Sequence, residues 1–298
     1  MKRSNISFVS EETLLKGWLY EPENTSSATP AIVMAHGFTS VKEQYLDKYA
    51  EVFCSQGFHV LVYDHANFGD SEGTPRQEMD PVLQRRGYRD AITFVQSLPG
   101  IDPQRIGIWG TSLSGGHVIE VAAIDRRVKC VVAQVPSISG YESAKRRLRS
   151  DLVPAMLARY DNDRQARFAG AQPATIAAVS DDPSVACAMV GADSYEFFMN
   201  TRSFAPNWKN EVTLRSTELF RENEPGHFIS RISPTPFLMI VGDNDLLTAT
   251  DICLAAYEKA LEPKKLVMIK GGHFTPYVEN FKVTSEAAAS WFNQHLNT

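Results

Sequence analysis

The chain has 298 residues, 43% of them hydrophobic, and a formal net charge of -5. That much apolar material can close a core without disulfide or metal staples, and the acidic balance excludes a general nucleic-acid binder, which needs a basic field to displace counterions from phosphates. No apolar run reaches the ~18 residues a membrane span needs, and the two basic residues after Met1 are followed by no apolar stretch, so neither a spanning helix nor a secretory leader is expected.

Residues 6–22 alternate and reverse at Glu11-Glu12, which predicts an antiparallel hairpin. Small polar residues at 24–30 predict a loop. Apolar runs then alternate with helical periods. Strands are predicted at 31–35, 59–64, 105–110 and 128–135, with helices at 44–56, 88–98 and 116–124 between them. In the first of these helices Leu46, Tyr49, Ala50 and Phe53 share a face. Continuous apolar strands separated by helices imply a mostly parallel sheet covered on both faces, an α/β architecture. The alternation stops over 137–233, a stretch punctuated by prolines and carrying helical patches. It resumes with strands at 236–242 and 266–269 and helices at 249–260 and 285–296. A structureless loop of that length is improbable, so residues 1–136 and 234–298 are read as the core and 137–233 as an inserted, mostly helical lid.

The segment R-I-G-I-W-G-T-S-L-S-G-G-H-V, 105–118, carries the most chemistry. A serine hydroxyl that attacks a carbonyl must stand clear of the backbone on a sharp strand-to-helix turn, and such a turn admits only small neighbours. Ser112 has that setting, with Ser114 standing where the common G-x-S-x-G pattern has glycine. Ser114 is the alternative nucleophile, and it lies farther along, entering the helix. A serine needs a base, and the base an orienting acid. After the strand at 236–242 come Asp243 and Asp245, and after the strand at 266–269 come Gly271, Gly272 and His273. His273 is the expected base and Asp245 the expected acid, with Asp243 as the fallback. The run A-H-G-F at 35–38 ends the first parallel strand. The amides of Phe38 and Leu113 are the expected oxyanion donors, each worth about 2.7–4 kcal/mol in the transition state.

The remaining histidines read as structural, with His36 bracing the Phe38 loop by a hydrogen bond and His65 the one candidate for lining the site. No metal-ligand spacing occurs, and no metal or cofactor is expected. Cys54, Cys130, Cys187 and Cys253 form no C-x-x-C pair and read as small buried hydrophobes in a reduced, cytoplasmic compartment.

The runs H-G-F-T-S-V-K-E, V-Y-D-H-A-N-F-G-D-S-E-G-T-P-R-Q-E, W-G-T-S-L-S-G-G-H-V and K-G-G-H-F resemble α/β-hydrolases of the dienelactone-hydrolase-like and peptidase S15-like group. Within it the chain is similar to hydrolases and transferases that accompany fungal polyketide synthases. The resemblance implies the α/β-hydrolase fold, release, hydrolysis or transfer of a polyketide acyl chain, and the roles already given for Ser112, Asp245, His273, Phe38 and Leu113. An arginine is common in the family where Ala66 or Asn67 stands here.

Esterase or thioesterase chemistry through an acyl-Ser112 intermediate is therefore expected. An acyltransferase, a condensation catalyst or a carbon–carbon bond hydrolase on the same triad is the alternative, and a non-catalytic binding protein is the alternative of another class. The lid aromatics Tyr141, Phe204 and Trp208 are expected to line an apolar acyl pocket. The basic run Lys145-Arg146-Arg147-Leu148-Arg149 reads as a solvated helix face, with docking of an acidic acyl-carrier domain or a coenzyme A phosphate as the sharper alternative. The assembly state is left open, a homodimer among the alternatives.

Overall fold

The computed structural model describes residues 1–23 and 27–297. The expected hairpin is present as β1 (Lys2–Ser10) and β2 (Thr13–Glu21), paired antiparallel from Lys2 opposite Glu21 to Ser10 opposite Thr13. Glu11 and Glu12 turn it, both with positive φ (44° and 66°). That is the backbone a tight two-residue hairpin turn requires. Of the loop expected at 24–30, residues 24–26 lie outside the described residues, and Thr29 already opens β3 (Thr29–Ala35).

The core then runs α1 (Leu46–Ser55), β4 (His59–Tyr63), α2 (Pro81–Gln96), β5 (Ile101–Thr111), α3 (Leu113–Ile124) and β6 (Val128–Gln134). It closes with β9 (Phe237–Gly242), α8 (Thr250–Lys259), β10 (Lys264–Ile269) and α9 (Phe281–Leu296). Three helices start earlier than the apolar period suggests, α3 among them at Leu113 rather than 116. In α2 the carboxylate of Asp80 accepts from the amides of Val82 and Leu83, and Pro81 occupies the first helical position. In α9 the helix begins at Phe281 rather than 285.

The eight strands follow the order β1-β2-β4-β3-β5-β6-β9-β10, antiparallel at β1-β2 and β2-β4 and parallel beyond. Period-2 alternation divides the core between the two faces. Along β3, Ala31, Val33 and Ala35 pack with Tyr88 of α2 and Val118 of α3, whereas Ile32 and Met34 pack with Tyr49 of α1 and Phe292 of α9. The chain leaves β3 toward β4 on one side and returns through β5 on the other. The order therefore reverses between β3 and β5, and the carboxyl ends of these two neighbours open the crevice where open α/β sheets bind ligands.

Between β6 and β9 lie α4 (Gly140–Arg147), α5 (Val153–Phe168), β7 (Thr175–Ile176), α6 (Ala192–Thr201), β8 (Val212–Thr213) and α7 (Leu214–Glu222). The regular structure of the stretch 137–233 is thus mostly helical. It adds one short antiparallel pair, β7 with β8, that periodicity did not disclose. No helix among the described residues is long and apolar enough to cross a membrane.

Candidate active site

Ser112 occupies the single residue between β5 and α3, at φ 56° and ψ -119°. A non-glycine residue rarely adopts that conformation, and it persists only when its surroundings fix it. Here the Ser112 amide donates to the Gln134 carbonyl (2.9 Å), while its own carbonyl accepts from the amides of Gly116 (3.2 Å) and Ser137 (2.9 Å). Gly110 is obligatory for contact reasons, because a Cβ there would run into the carbonyl of Ser114.

The other two loops converge on the hydroxyl. His273 Nε2 lies 2.9 Å from Ser112 Oγ, and His273 Nδ1 lies 2.7 Å from Asp245 Oδ2. The second carboxylate oxygen, Oδ1, accepts from the amides of Leu247 (2.8 Å) and Thr248 (2.9 Å), and the Thr248 hydroxyl sits 2.8 Å from Oδ2. Burial works against the charge of Asp245, but the neighbouring imidazole and the Thr248 bonds outweigh it and hold the carboxyl below the usual carboxylate range. Asp245 is therefore an anion that can stabilise a protonated His273. Asp243 instead accepts from the Gly271 amide (2.8 Å) and serves the turn.

Gly37 brings the oxyanion loop against the nucleophile, since a Cβ there would sit 2.9 Å from Ser112 Cβ. Among the described residues no backbone or side-chain group accepts from the amide of Phe38 or of Leu113. Leu113 is the first residue of α3, where the helix dipole favours negative charge. Both expected donors are thus free at the mouth of the turn.

Ser114 is fully buried and is not placed to attack a substrate. Its hydroxyl donates to the His36 carbonyl and lies 2.9 Å from His65 Nε2. The serine that replaces the usual glycine therefore ties the nucleophile helix to the loop that carries Phe38. His36 braces that loop as expected, its Nδ1 2.9 Å from the Gly37 carbonyl, while its Nε2 accepts from the His65 amide (3.1 Å). His65 faces this interior network and does not line the site. His117 Nε2 meets Gln84 Oε1 at 2.9 Å. The loop where the family often carries arginine is held instead by buried Lys42, whose ammonium lies 2.8 Å from Asp64 and also meets Glu43 and Asp70. These three acids are close enough to hold a metal, but they already surround that ammonium.

Burial pushes His36 down to about 4 and His65 and His117 well below the ordinary histidine value. The sign follows directly. The unfolded chain takes up protons below ~6.5 that the fold refuses, so each histidine removes up to about 1.4 kcal/mol of stability per pH unit as pH falls from there toward its folded value. His117→Gln, which keeps a donor for Gln84, is expected to make the urea midpoint less steep in pH between 7 and 5 than in the parent. An equally steep variant would refute a neutral buried His117.

A cavity of about 370 Å3 opens over Ser112, His273 and Leu113. Its far walls come from α4, α5 and α7 and the segment before α6, among them Leu148, Met156, Met189 and Phe220. The expected aromatics are elsewhere. Tyr141 is exposed at the start of α4, Phe204 lies edge-on to Tyr45 with ring centroids 5.8 Å apart, and Trp208 stacks on Phe198 at 5.1 Å in the interior. The aromatic residues that do face the cavity are Phe38, Tyr160 and Phe220, beside aliphatic side chains such as Leu148 and Leu214.

The basic run does not present one face. Arg146 makes a two-pronged pair with Asp251 (2.6 and 2.8 Å), Arg149 pairs with Asp151 (2.6 Å), and Lys145 lies 3.7 Å from Glu142. Arg147 turns the other way, into the cavity wall.

Comparison with known proteins agrees with this fold. Residues 11–275 match the model of the X-Pro dipeptidyl-peptidase (S15) family. A thiohydrolase of Eupenicillium brefeldianum is 34% identical over 277 residues, covering 91% of this chain and 87% of that protein. The polyketide transferase grgF of a Penicillium species is 29% identical over 275 residues, covering 92% and 90%. The crystal structure of the α/β hydrolase GrgF from Penicillium sp. sh18 superposes with a TM-score of 0.86 at 26% identity over 100% of both chains.

Proposed function

The chain belongs to the X-Pro dipeptidyl-peptidase (S15) family of α/β-hydrolase-fold enzymes, and from that premise we propose that it is a serine hydrolase cleaving an ester or thioester of an apolar, polyketide-type acyl chain. The observation that carries this reading is the Ser112–His273–Asp245 chain of hydrogen bonds opening directly into a cavity walled mostly by apolar side chains. Relatives named as a thiohydrolase and a polyketide transferase support a thioester or ester over a peptide.

The steps follow from the parts. His273 Nε2 takes the proton of Ser112 as Oγ attacks the acyl carbonyl. The amides of Phe38 and Leu113 receive the developing oxyanion. Asp245, held by Leu247 and Thr248, keeps the Nδ1 proton of the imidazole in place and balances its charge. The thiol or alcohol leaves with the proton from His273, and water or an acceptor alcohol then attacks the acyl-Ser112. Transfer and hydrolysis differ only in that last nucleophile, and in this reading residues 137–233 act as the lid that admits it.

Delivery on an acidic carrier domain is a further part of the proposal, attached to Lys145, Arg146 and Arg149, whose side chains face solvent. Cytoplasmic residence is another, supported by four cysteines that form no disulfide.

The test is active-site labelling with a fluorophosphonate, followed by peptide mass spectrometry, alongside a pre-steady-state assay of thiol release from an acyl thioester. Label on Ser112 and a burst equal to one acyl group per chain are expected. Label on another serine, or no burst with turnover intact, would overturn the assignment. Adding an alcohol acceptor and measuring the ester formed then apportions hydrolysis and transfer.

A further inference from the structure

The cavity over Ser112 is apolar apart from its catalytic edge and a few small polar groups, yet three arginines line it, Arg147, Arg159 and Arg221, and no aspartate or glutamate does. Among the described residues none of the three has a carboxylate within ion-pair distance. Arg221 reaches only the sulfur of Met156 (3.5 Å). This contrasts with the neighbouring Arg146 and Arg149, each of which holds an acid of its own.

Arg147 is the best placed of the three. It is half-buried, its Nε donates to the Ser143 carbonyl (3.0 Å) and its guanidinium lies 5.3 Å from the centroid of the Phe220 ring. Those contacts fix the fork, while the terminal nitrogens have no protein acceptor among the described residues. A guanidinium partly withdrawn from water without a counter-charge is unfavourable, and planar carboxylate or phosphate oxygens are the groups it pairs with best. Burial lowers its pKa to about 10, with the charge of Asp245 opposing that fall, so it is a cation at neutral pH.

We propose that Arg147 sets substrate selectivity by binding an anionic oxygen group of the substrate, a carboxylate or a phosphate, with Arg159 and Arg221 reinforcing the field of the same cavity. The inference rests on the serine-hydrolase reading and narrows its substrate class. Two parts of a substrate could supply the anion, namely a carboxylate carried by the acyl chain or a phosphate of the leaving pantetheine arm.

Four substrates separate them. The p-nitrophenyl hemiester of suberic acid and its methyl-capped form differ only in the acyl carboxylate. The coenzyme A and N-acetylcysteamine thioesters of octanoate share the acyl chain and the reacting thioester, and only the first has phosphates in its leaving group. Arg147→Met keeps the bulk and removes the charge. It is expected to lose about 10- to 100-fold in kcat/KM on one anionic member and less than about threefold on its neutral counterpart, with Arg147→Lys recovering part of the loss. Loss on the hemiester places the anion on the acyl chain, and loss on the coenzyme A thioester places it on the leaving group. Equal effects within both pairs, or none, would overturn the proposal. Should the parent turn over none of the four, the serine-hydrolase reading is what fails. Calorimetric binding of suberate and of coenzyme A to parent and Arg147→Met then still decides the charge question, binding of neither overturning it.

Discussion

Ser112→Ala is expected to lower kcat on an ester or thioester by roughly ten-thousand- to million-fold, because removing either the nucleophile or its base disables the whole relay. The fold is expected to survive, since the bonds that fix the turn are made by the Ser112 backbone and not by its hydroxyl. Ser112→Gly separates function from stability further. At φ 56° glycine carries no Cβ penalty, so this variant is expected to be as inactive as the alanine and more stable than the parent by about 1 kcal/mol. Steady-state kinetics and urea unfolding of the three proteins test both halves. A glycine variant less stable than the alanine variant would show that the turn stores no strain.

Asp245→Asn is expected to cost roughly a thousand- to ten-thousand-fold in kcat. The argument is one of donors and acceptors. Asp245 accepts from two backbone amides on Oδ1 and faces His273 Nδ1 and the Thr248 hydroxyl with Oδ2. An asparagine must turn its NH2 toward one of these two sets. Facing the imidazole, it forces Nδ1 to accept, and the proton moves to Nε2, where the base must be free. Facing the amides, it leaves three donors opposed at close range. Either orientation removes the anion that balances protonated His273. A pH–rate profile of this variant beside the parent checks it, and near-parental kcat at neutral pH would contradict the role given to Asp245.

The sheet and the three loops that bring Ser112, Asp245 and His273 together were legible in the sequence because each depends on residue chemistry that few positions satisfy. The small residues around Ser112, the glycines before His273 and the alternating apolar strands have no other economical reading. The start of α2 is written in the cap Asp80-Pro81 and not in the apolar period, which suggests a helix only from Tyr88. The cavity walls were not legible for a different reason. Whether a lid aromatic faces a ligand or a helix depends on how four helices meet, and Tyr141, Phe204 and Trp208 look alike in one dimension. Arg147 was indistinguishable from its neighbours within a basic run, yet one helical step of 100° turns it from solvent to the cavity.

The bonds from Ser114 to His36 and His65 carry a broader consequence. They fix the spacing between the two amide-bearing segments from inside the protein, before any acyl group arrives. In the proposed mechanism no part of a substrate's affinity has to be diverted to assembling the oxyanion site, so that site makes no demand on what the acyl chain is. Discrimination among chains is then left to the residues facing them, which can drift during evolution while the reaction itself stays the same.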